Sequence, residues 1–247
     1  MKINLQKKTT ILLLIIFSTT ALNAQSLKNQ RWKMWYSVGA SNFMGDLGGG
    51  VGEGSHFLGY KDINLEASRY SYRLGIERKM TVSLSFMQEF AFTKLYGDDA
   101  FTKNPARNSR NLHFKSIVWQ TSTQMRYYFI REKEVAKHKF SGFGGMENLS
   151  AFVVLGGGIF YFNPRAKQGE EWAEVRAEGV NYKKYAYTMP FGFGFKYLLD
   201  RDFSIGMELV NYYTSTDYID DVHERGGTQF NDAYLLGLVN ITYHIRK

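Results

Sequence analysis

The 247-residue chain contains no cysteine and only three prolines. Without a thiol it can form neither a disulfide nor a thiolate metal site, and it cannot be lipidated at an N-terminal cysteine after export. No stretch rich in proline or serine marks a linker that would divide the chain. We therefore expect one domain, residues 25–247, after an N-terminal targeting segment.

Long hydrophobic runs are also missing. The apolar run from Ile11 to Phe17 is too short for a transmembrane helix, which needs about 20 residues, and no later stretch comes close. Three lysines precede this run, and Leu22 and Ala24 fit the −3 and −1 positions of a cleavage site. This pattern predicts a secretory signal peptide over residues 1–24, so that the mature chain begins at Gln25.

Clusters of one charge sign are scarce. The net charge is +8, and it becomes +5 without the three lysines of the signal peptide, because 28 basic residues then face 23 acidic ones. Nucleic-acid binding concentrates Lys and Arg on one element, whereas these are scattered, so we expect no nucleic-acid partner. The five histidines show no metal-ligand spacing, no Gly-x-Ser-x-Gly motif occurs, and no helix-like segment follows the glycine-rich residues 45–57. We therefore expect no metal, no cofactor and no catalytic residues.

What the chain does have is aromatic residues, at 16% of its length, and an alternation of apolar and polar positions. Phe191, Phe193 and Phe195, for example, lie on the opposite face from Gly192 and Gly194. A period of two is typical of β-strands. We predict eight strands, at residues 32–40, 70–77, 82–93, 117–129, 149–162, 191–197, 203–209 and 234–245, with both faces of the fifth and eighth fairly apolar.

The aromatic faces of these strands would form the core of a soluble β-sandwich, or the lipid-facing surface of an outer-membrane barrel. Export, apolar faces of about four to six positions per strand, and aromatic residues near strand ends favour the barrel. An open sheet edge in lipid leaves backbone groups without partners, so the sheet must close. The predicted fold is therefore all-β: an eight-stranded antiparallel transmembrane outer-membrane β-barrel with long extracellular loops.

The interior of an eight-stranded barrel is narrow enough to be filled by its own side chains. We therefore expect an interlocking polar core in preference to an ion-conducting pore, formed by Lys33, Arg73, Glu77, Glu89, Gln120, Gln124, Arg126, Lys196 and Glu208. With the N-terminus in the periplasm, the predicted outer loops are residues 41–69, 97–112, 163–186 and 211–233. The periplasmic turns are residues 78–81 and 199–202, together with an unusually long connection over residues 131–148.

The stretch TSTDYIDDVHERGG, residues 214–227, concentrates four acidic side chains and one histidine in a predicted outer loop. The spacing of Asp217, Asp220 and Asp221 is not that of a calcium-binding EF-hand. At the outer boundary of the membrane, we expect these carboxylates to stay solvated or to pair with arginines of adjacent loops.

A catalytic alternative remains for the same loop. Asp221 and His223 are two positions apart and would share one face of an extended chain, so the carboxylate would orient the imidazole as a general base. The pair resembles the Asp-x-His dyad of the omptin barrel proteases, and Asp98 and Asp99 would supply the further aspartates of that family. Omptins, however, resemble a taller barrel of ten strands.

The chain resembles the PorG-like outer-membrane barrels of the type IX secretion system in a more specific way. The resemblance rests on DYIDDV at 217–222, SNFMGDLGG at 41–49, YRLGIERKM at 72–80, ARNSRNLHFKS at 106–116 and GGGIFYFNPRA at 156–166, which follow in order along the chain. It makes Asp217, Tyr218, Ile219, Asp220, Asp221 and Val222 a family signature in an outer loop. It implies a non-enzymatic barrel that anchors or organises a periplasmic ring of secretion proteins and, in some bacteria, supports gliding motility.

The best candidate surface for such a ring is the long connection at 131–148, because it faces the periplasm and exceeds the length that a turn needs. Its candidate contact residues are Lys137, Lys139, Phe140 and Phe143. The alternative is an eight-stranded structural or adhesive barrel without a role in secretion, since family resemblance does not fix function.

Overall fold

The computed structural model describes residues 32–45, 47, 65–101, 111–132, 148–168, 181–221 and 231–245. The predicted signal peptide and the predicted ring-contact residues Lys137, Lys139, Phe140 and Phe143 lie outside these ranges, as do Val222 and His223. Within the described ranges, no helix is both long enough and apolar enough to cross a membrane.

Eight strands form one closed antiparallel barrel in which each strand pairs with its neighbours in sequence and β1 pairs with β8. Their bounds are β1 Trp32–Met44, β2 Arg69–Lys79, β3 Leu84–Asp98, β4 Leu112–Ile130, β5 Leu149–Gln168, β6 Tyr185–Leu198, β7 Phe203–Thr214 and β8 Ala233–Ile245. The predicted fold class is confirmed. Short connections at 80–83 and 199–202 lie at one end of the barrel, which we call the turn end, and the other end is the loop end.

The exterior of the barrel is its apolar side. Large side chains such as Leu74, Phe191 and Ile241 are about half exposed, at 54%, 53% and 49%, while the residues between them point inward. A soluble sandwich would bury these positions, whereas a membrane barrel turns them to lipid.

An aromatic row crosses the loop-end side of this apolar exterior. Strand register places Tyr72, Phe92, Trp119, Tyr161 and Tyr185 side by side on five consecutive strands. Along β4, ten residues separate Trp119 from the outward Phe129 at the turn end. With strands tilted by about 40° and rising about 3.3 Å per residue, this spans about 25 Å, the height of the apolar band of outer-membrane barrels.

The strands are longer at the loop end than predicted. At the turn end all predicted bounds fall within two residues, but β4 begins at Leu112 instead of residue 117, and β5 ends at Gln168 instead of residue 162. The predicted outer loops are correspondingly too long. Beyond the aromatic row the outward face no longer needs to be apolar, so the alternation ends, whereas the backbone ladder continues.

Candidate functional site

The half of the lumen toward the turn end holds a network of ionic side chains, centred on the Glu77 carboxylate of β2. Arg126 Nη1 donates to it at 2.7 Å, Lys33 Nζ at 3.2 Å and Lys196 Nζ at 3.5 Å. The Tyr128 hydroxyl donates to its Oε1 at 2.9 Å. One carboxylate thus bridges strands β1, β2, β4 and β6 across the barrel.

Glu208 and Glu89 extend this network toward the middle of the lumen. Arg126 Nη2 donates to Glu208 at 2.6 Å, and Arg73 contacts both Glu208 and Glu89. Glu89 Oε1 also accepts hydrogen bonds from Gln120 Nε2 at 2.9 Å, Ser122 Oγ at 2.7 Å and the Tyr212 hydroxyl at 3.0 Å. Two arginines therefore link three glutamates. Most of the guanidinium donors and carboxylate acceptors gain a hydrogen-bond partner, and these charged groups would be costly to bury without one.

The network has balanced charge in the part of the chain that the structure describes. Four cations of the strands, Lys33, Arg73, Arg126 and Lys196, face Glu77, Glu89 and Glu208, and Glu132 supplies a fourth carboxylate. All four cationic side chains are at most 1% exposed, so the side chains around them enclose them. All nine side chains predicted to point inward do so. The geometry favours a packed polar core over an open pore.

Glu132 was not expected in the lumen, because it was assigned to the long connection at 131–148. It follows the end of β4, and its carboxylate contacts the ammonium groups of Lys33 and Lys196, the latter at 3.5 Å. Burial alone would raise its pKa, but the two ammonium groups outweigh burial and lower the pKa of Glu132 to about 2. The start of the long connection is thereby held inside the barrel by ion pairs.

The half of the lumen toward the loop end is mainly apolar, so the predicted polar core does not fill the whole lumen. Inward residues of six strands and two loop residues form one buried cluster that includes Phe43, Phe114, Phe162, Tyr234 and Leu236. The apolar inward faces of β5 and β8 belong to this cluster. Above the aromatic row, water surrounds the barrel wall, so an apolar interior here is stabilised as in a soluble protein.

The signature loop closes the barrel mouth. Ile219 is fully buried in the apolar cluster, and its backbone N–H donates to Asp232 Oδ2 at 2.8 Å. The Tyr218 ring stacks on Tyr182, with ring centroids 4.4 Å apart. Sequence positions 218 and 219 therefore serve as a hydrophobic cap.

The carboxylates of Asp220 and Asp221 do not stay solvated, which corrects that part of the expectation, while their pairing with arginines of adjacent loops stays a prediction. Asp220 is fully buried and accepts a hydrogen bond from the Leu47 backbone N–H at 3.1 Å. Asp221 is 2% exposed, adopts a φ of 65°, and accepts a hydrogen bond from the Tyr182 hydroxyl. Aspartate tolerates this left-handed conformation better than most residues. Both side chains therefore attach the segments that carry Leu47 and Tyr182 to the hydrophobic cap. Asp217, at the edge of this cap, is half-buried.

The aspartates considered for an omptin-like site have other partners. Asp98 Oδ2 contacts His113 Nδ1 at 2.7 Å and accepts a hydrogen bond from the Tyr96 hydroxyl at 2.9 Å, while its Oδ1 accepts one from the Ala100 backbone. Asp221 binds Tyr182, as described above. The carboxylates of Asp98 and Asp221 therefore stabilise local structure, and the imidazole that contacts Asp98 is His113, which the sequence did not single out.

Comparison with known proteins identifies the family. Residues 7–243 match the domain of unknown function DUF6089. The chain belongs to the DUF6089 family. No curated protein matches the sequence.

Solved structures similar to this DUF6089 protein include three outer-membrane barrels. Ail of Yersinia pestis is 9% identical, with a TM-score of 0.43 over 89% of this chain and 100% of Ail. OprG of Pseudomonas aeruginosa is 12% identical, with a TM-score of 0.44 over 89% of this chain and 99% of OprG. The outer membrane enzyme PagL is 14% identical, with a TM-score of 0.34 over 86% of this chain and 99% of PagL. At these identities the likeness concerns the fold alone.

Proposed function

We propose that this DUF6089 protein is a non-enzymatic outer-membrane barrel that anchors or organises the periplasmic ring of a type IX secretion system. Its short-turn end faces the periplasm, as is usual for outer-membrane barrels, and its signal peptide is removed after residue 24. The ordered sequence resemblance to PorG-like barrels supports the secretion role. The packed lumen supports a role through the ends of the barrel, since the side chains that the structure describes enclose the four buried cations.

The observation that carries this proposal is the position of Glu132. A connection between two strands of a barrel needs only a short turn, yet residues 131–148 join β4 to β5 at the turn end. Lys33 and Lys196 hold the carboxylate of Glu132 in the lumen. A force on the connection is therefore transmitted to the barrel core, which suits an anchor for a periplasmic assembly.

The test is deletion of Val135 to Gly145 from the full chain in its native host. We expect the barrel to fold, judged by a heat-dependent mobility shift on a detergent gel, but to lose co-purification with the ring proteins. The double substitutions Lys137→Ala/Lys139→Ala and Phe140→Ala/Phe143→Ala divide this effect between charge and aromatic contact. Lys183→Ala/Lys184→Ala, at the loop end, is the matched control and should retain the ring.

Full co-purification by the deletion variant would reject the assignment of this contact surface. Normal secretion of cargo with the C-terminal sorting domain in a strain lacking the protein would reject the secretion role itself. A protein recovered in the soluble periplasm would contradict the outer-membrane location.

A further inference from the structure

A cavity of about 610 Å³ opens on the exterior of β2, β3, β4 and β5, on the loop-end side of the aromatic row. Among the residues that the structure describes, its lining includes four cationic side chains, Arg69, Lys94, Lys115 and Arg165, and no carboxylate. These cations are separate from the lumenal network, because Lys94, Lys115 and Arg165 occupy outward positions of their strands.

Strand register arranges three of the cations in two tiers above the aromatic row. On β4, Ile117 and Lys115 follow Trp119 toward the loop end at successive outward positions. Lys94 pairs with Ile117 in the lower tier, and Arg165 pairs with Lys115 in the upper tier. Each outward step rises about 5 Å along the barrel axis, so the cations lie roughly 5 and 10 Å above the aromatic row.

Aromatic rings hold two of the cations in place. Lys94 Nζ lies 4.7 Å from the centroid of the Tyr70 ring, and the Arg69 guanidinium lies 4.0 Å from the Tyr96 ring. Arg69 Nη1 also donates to the backbone carbonyl of Ser68 at 2.8 Å. Restricted cations lose little conformational entropy when they bind an anion, so this arrangement is suited to binding.

We propose that this cavity binds the phosphate group of a glycolipid headgroup in the outer leaflet of the membrane. Aromatic side chains of outer-membrane barrels lie at the boundary between hydrocarbon and headgroups. Cations directly above the aromatic row are therefore level with headgroup phosphates. Arg and Lys are the side chains that bind phosphate oxygens through charge-assisted hydrogen bonds. The apolar surface below the cavity, which includes Phe90 and Trp119, accommodates the acyl chains of the same molecule.

This inference rests on the proposed outer-membrane location, and its failure is distinguishable from failure of that proposal. The location is tested by membrane fractionation of the host, and the cavity by a binding measurement on purified barrel in detergent micelles. The secretion role enters neither measurement.

The experiment measures the affinity of the folded full-length barrel for diphosphoryl lipid A, dephosphorylated lipid A and inorganic phosphate. For Lys115→Gln/Arg165→Gln we expect affinity for diphosphoryl lipid A to fall roughly tenfold or more, because each lost charge-assisted contact is worth about a factor of ten. The matched control Arg78→Gln/Arg131→Gln removes two exposed cations at the turn end and should change affinity less than about twofold. A heat-dependent mobility shift establishes that both variants fold.

Three results would overturn the proposal. In the first, the cavity variant binds diphosphoryl lipid A as tightly as the wild type. In the second, dephosphorylated lipid A binds equally well, so phosphate is not recognised. In the third, inorganic phosphate binds as tightly as the lipid, so the cavity is a site for a free anion and the aromatic row adds nothing.

Discussion

Substitution of Glu77 by Gln should be one of the most destabilising isosteric changes in the barrel. The Glu77 carboxylate accepts hydrogen bonds from Arg126, Lys33, Lys196 and Tyr128 within 3.5 Å. An amide of the same shape keeps one acceptor oxygen but turns an NH₂ group toward cationic donors. The charge of the ionic network then changes from zero to +1, and its four cationic side chains are at most 1% exposed.

The expected loss in free energy of unfolding is about 3–5 kcal/mol, the usual effect of removing one partner from a buried ion pair. The assay is urea unfolding of the barrel in detergent or lipid vesicles, followed by tryptophan fluorescence and by gel mobility. Glu66→Gln is the matched control, since Glu66 is exposed outside the strands and its substitution should cost less than about 1 kcal/mol.

A second substitution separates loss of charge balance from loss of shape. Lys196→Gln removes one of the cations that contact Glu77, at 3.5 Å. Combined with Glu77→Gln, it returns the charge of the ionic network to zero. We therefore expect the double variant to be more stable than the sum of the two single effects implies, by about 1 kcal/mol or more. An unfolding midpoint of Glu77→Gln equal to the wild type, or additive effects in the double variant, would refute the view that paired charge stabilises this lumen.

Three further predictions concern other parts of the barrel. Gly156→Ala should lower the free energy of unfolding by about 1–3 kcal/mol, because an added Cβ would lie 2.4 Å from a neighbouring backbone oxygen. The control is Gly157→Ala, whose Cβ would have no atom within 4 Å; it should change the free energy of unfolding in urea by less than about 0.5 kcal/mol. Ile219→Ala should lower the free energy of unfolding by about 2–4 kcal/mol and loosen the hydrophobic cap, so hydrogen exchange at the Leu47 amide should become faster. Unchanged exchange would show that Ile219 does not hold the cap. Since the pKa of Glu132 is lowered from 4.5 to about 2 on folding, its stabilisation is present above pH 4.5 and lost as pH falls toward 2. Glu132→Gln should therefore lower the free energy of unfolding by about 3 kcal/mol at pH 7 but hardly at pH 2, and an equal loss at both pH values would contradict the ionic role.

The membrane-spanning part of the fold could be predicted because lipid imposes a strict alternation on it. Each strand there must present apolar side chains outward, so the sequence carries the strand period and the strand count. The same constraint explains why Lys33, Arg73 and Glu208 were placed correctly in the lumen. The strand bounds at the turn end follow directly, since the chain turns as soon as it leaves the lipid.

The loop end could not be predicted from alternation, because lipid no longer surrounds the strands there. Lys115 and Arg165 point outward although they are charged, and Phe114 and Phe162 point inward although they are aromatic. The polarity of the two faces is inverted within a single strand, so the sequence pattern does not continue the period of the membrane-spanning part.

Two parts of the site depend on contacts that sequence spacing does not encode. Glu132 reaches the lumen only because the lysines at positions 33 and 196, distant in sequence, converge on it. Asp220 looks like a solvated loop residue until the chain folds back and places the Leu47 amide beside it. Tyr128, in contrast, could have been found, since it shares the inward parity of Arg126.

The strands differ widely in length, from 11 residues in β2 to 20 residues in β5. At a tilt of about 40°, these lengths correspond to heights of roughly 28 and 50 Å. The rim at the loop end is therefore oblique: β2 ends near the membrane surface, while β4 and β5 form a wall that stands roughly 20 Å higher. Among the residues that the structure describes, the barrel wall therefore stands high on one side of the mouth and low on the other, so the barrel presents a direction as well as a surface.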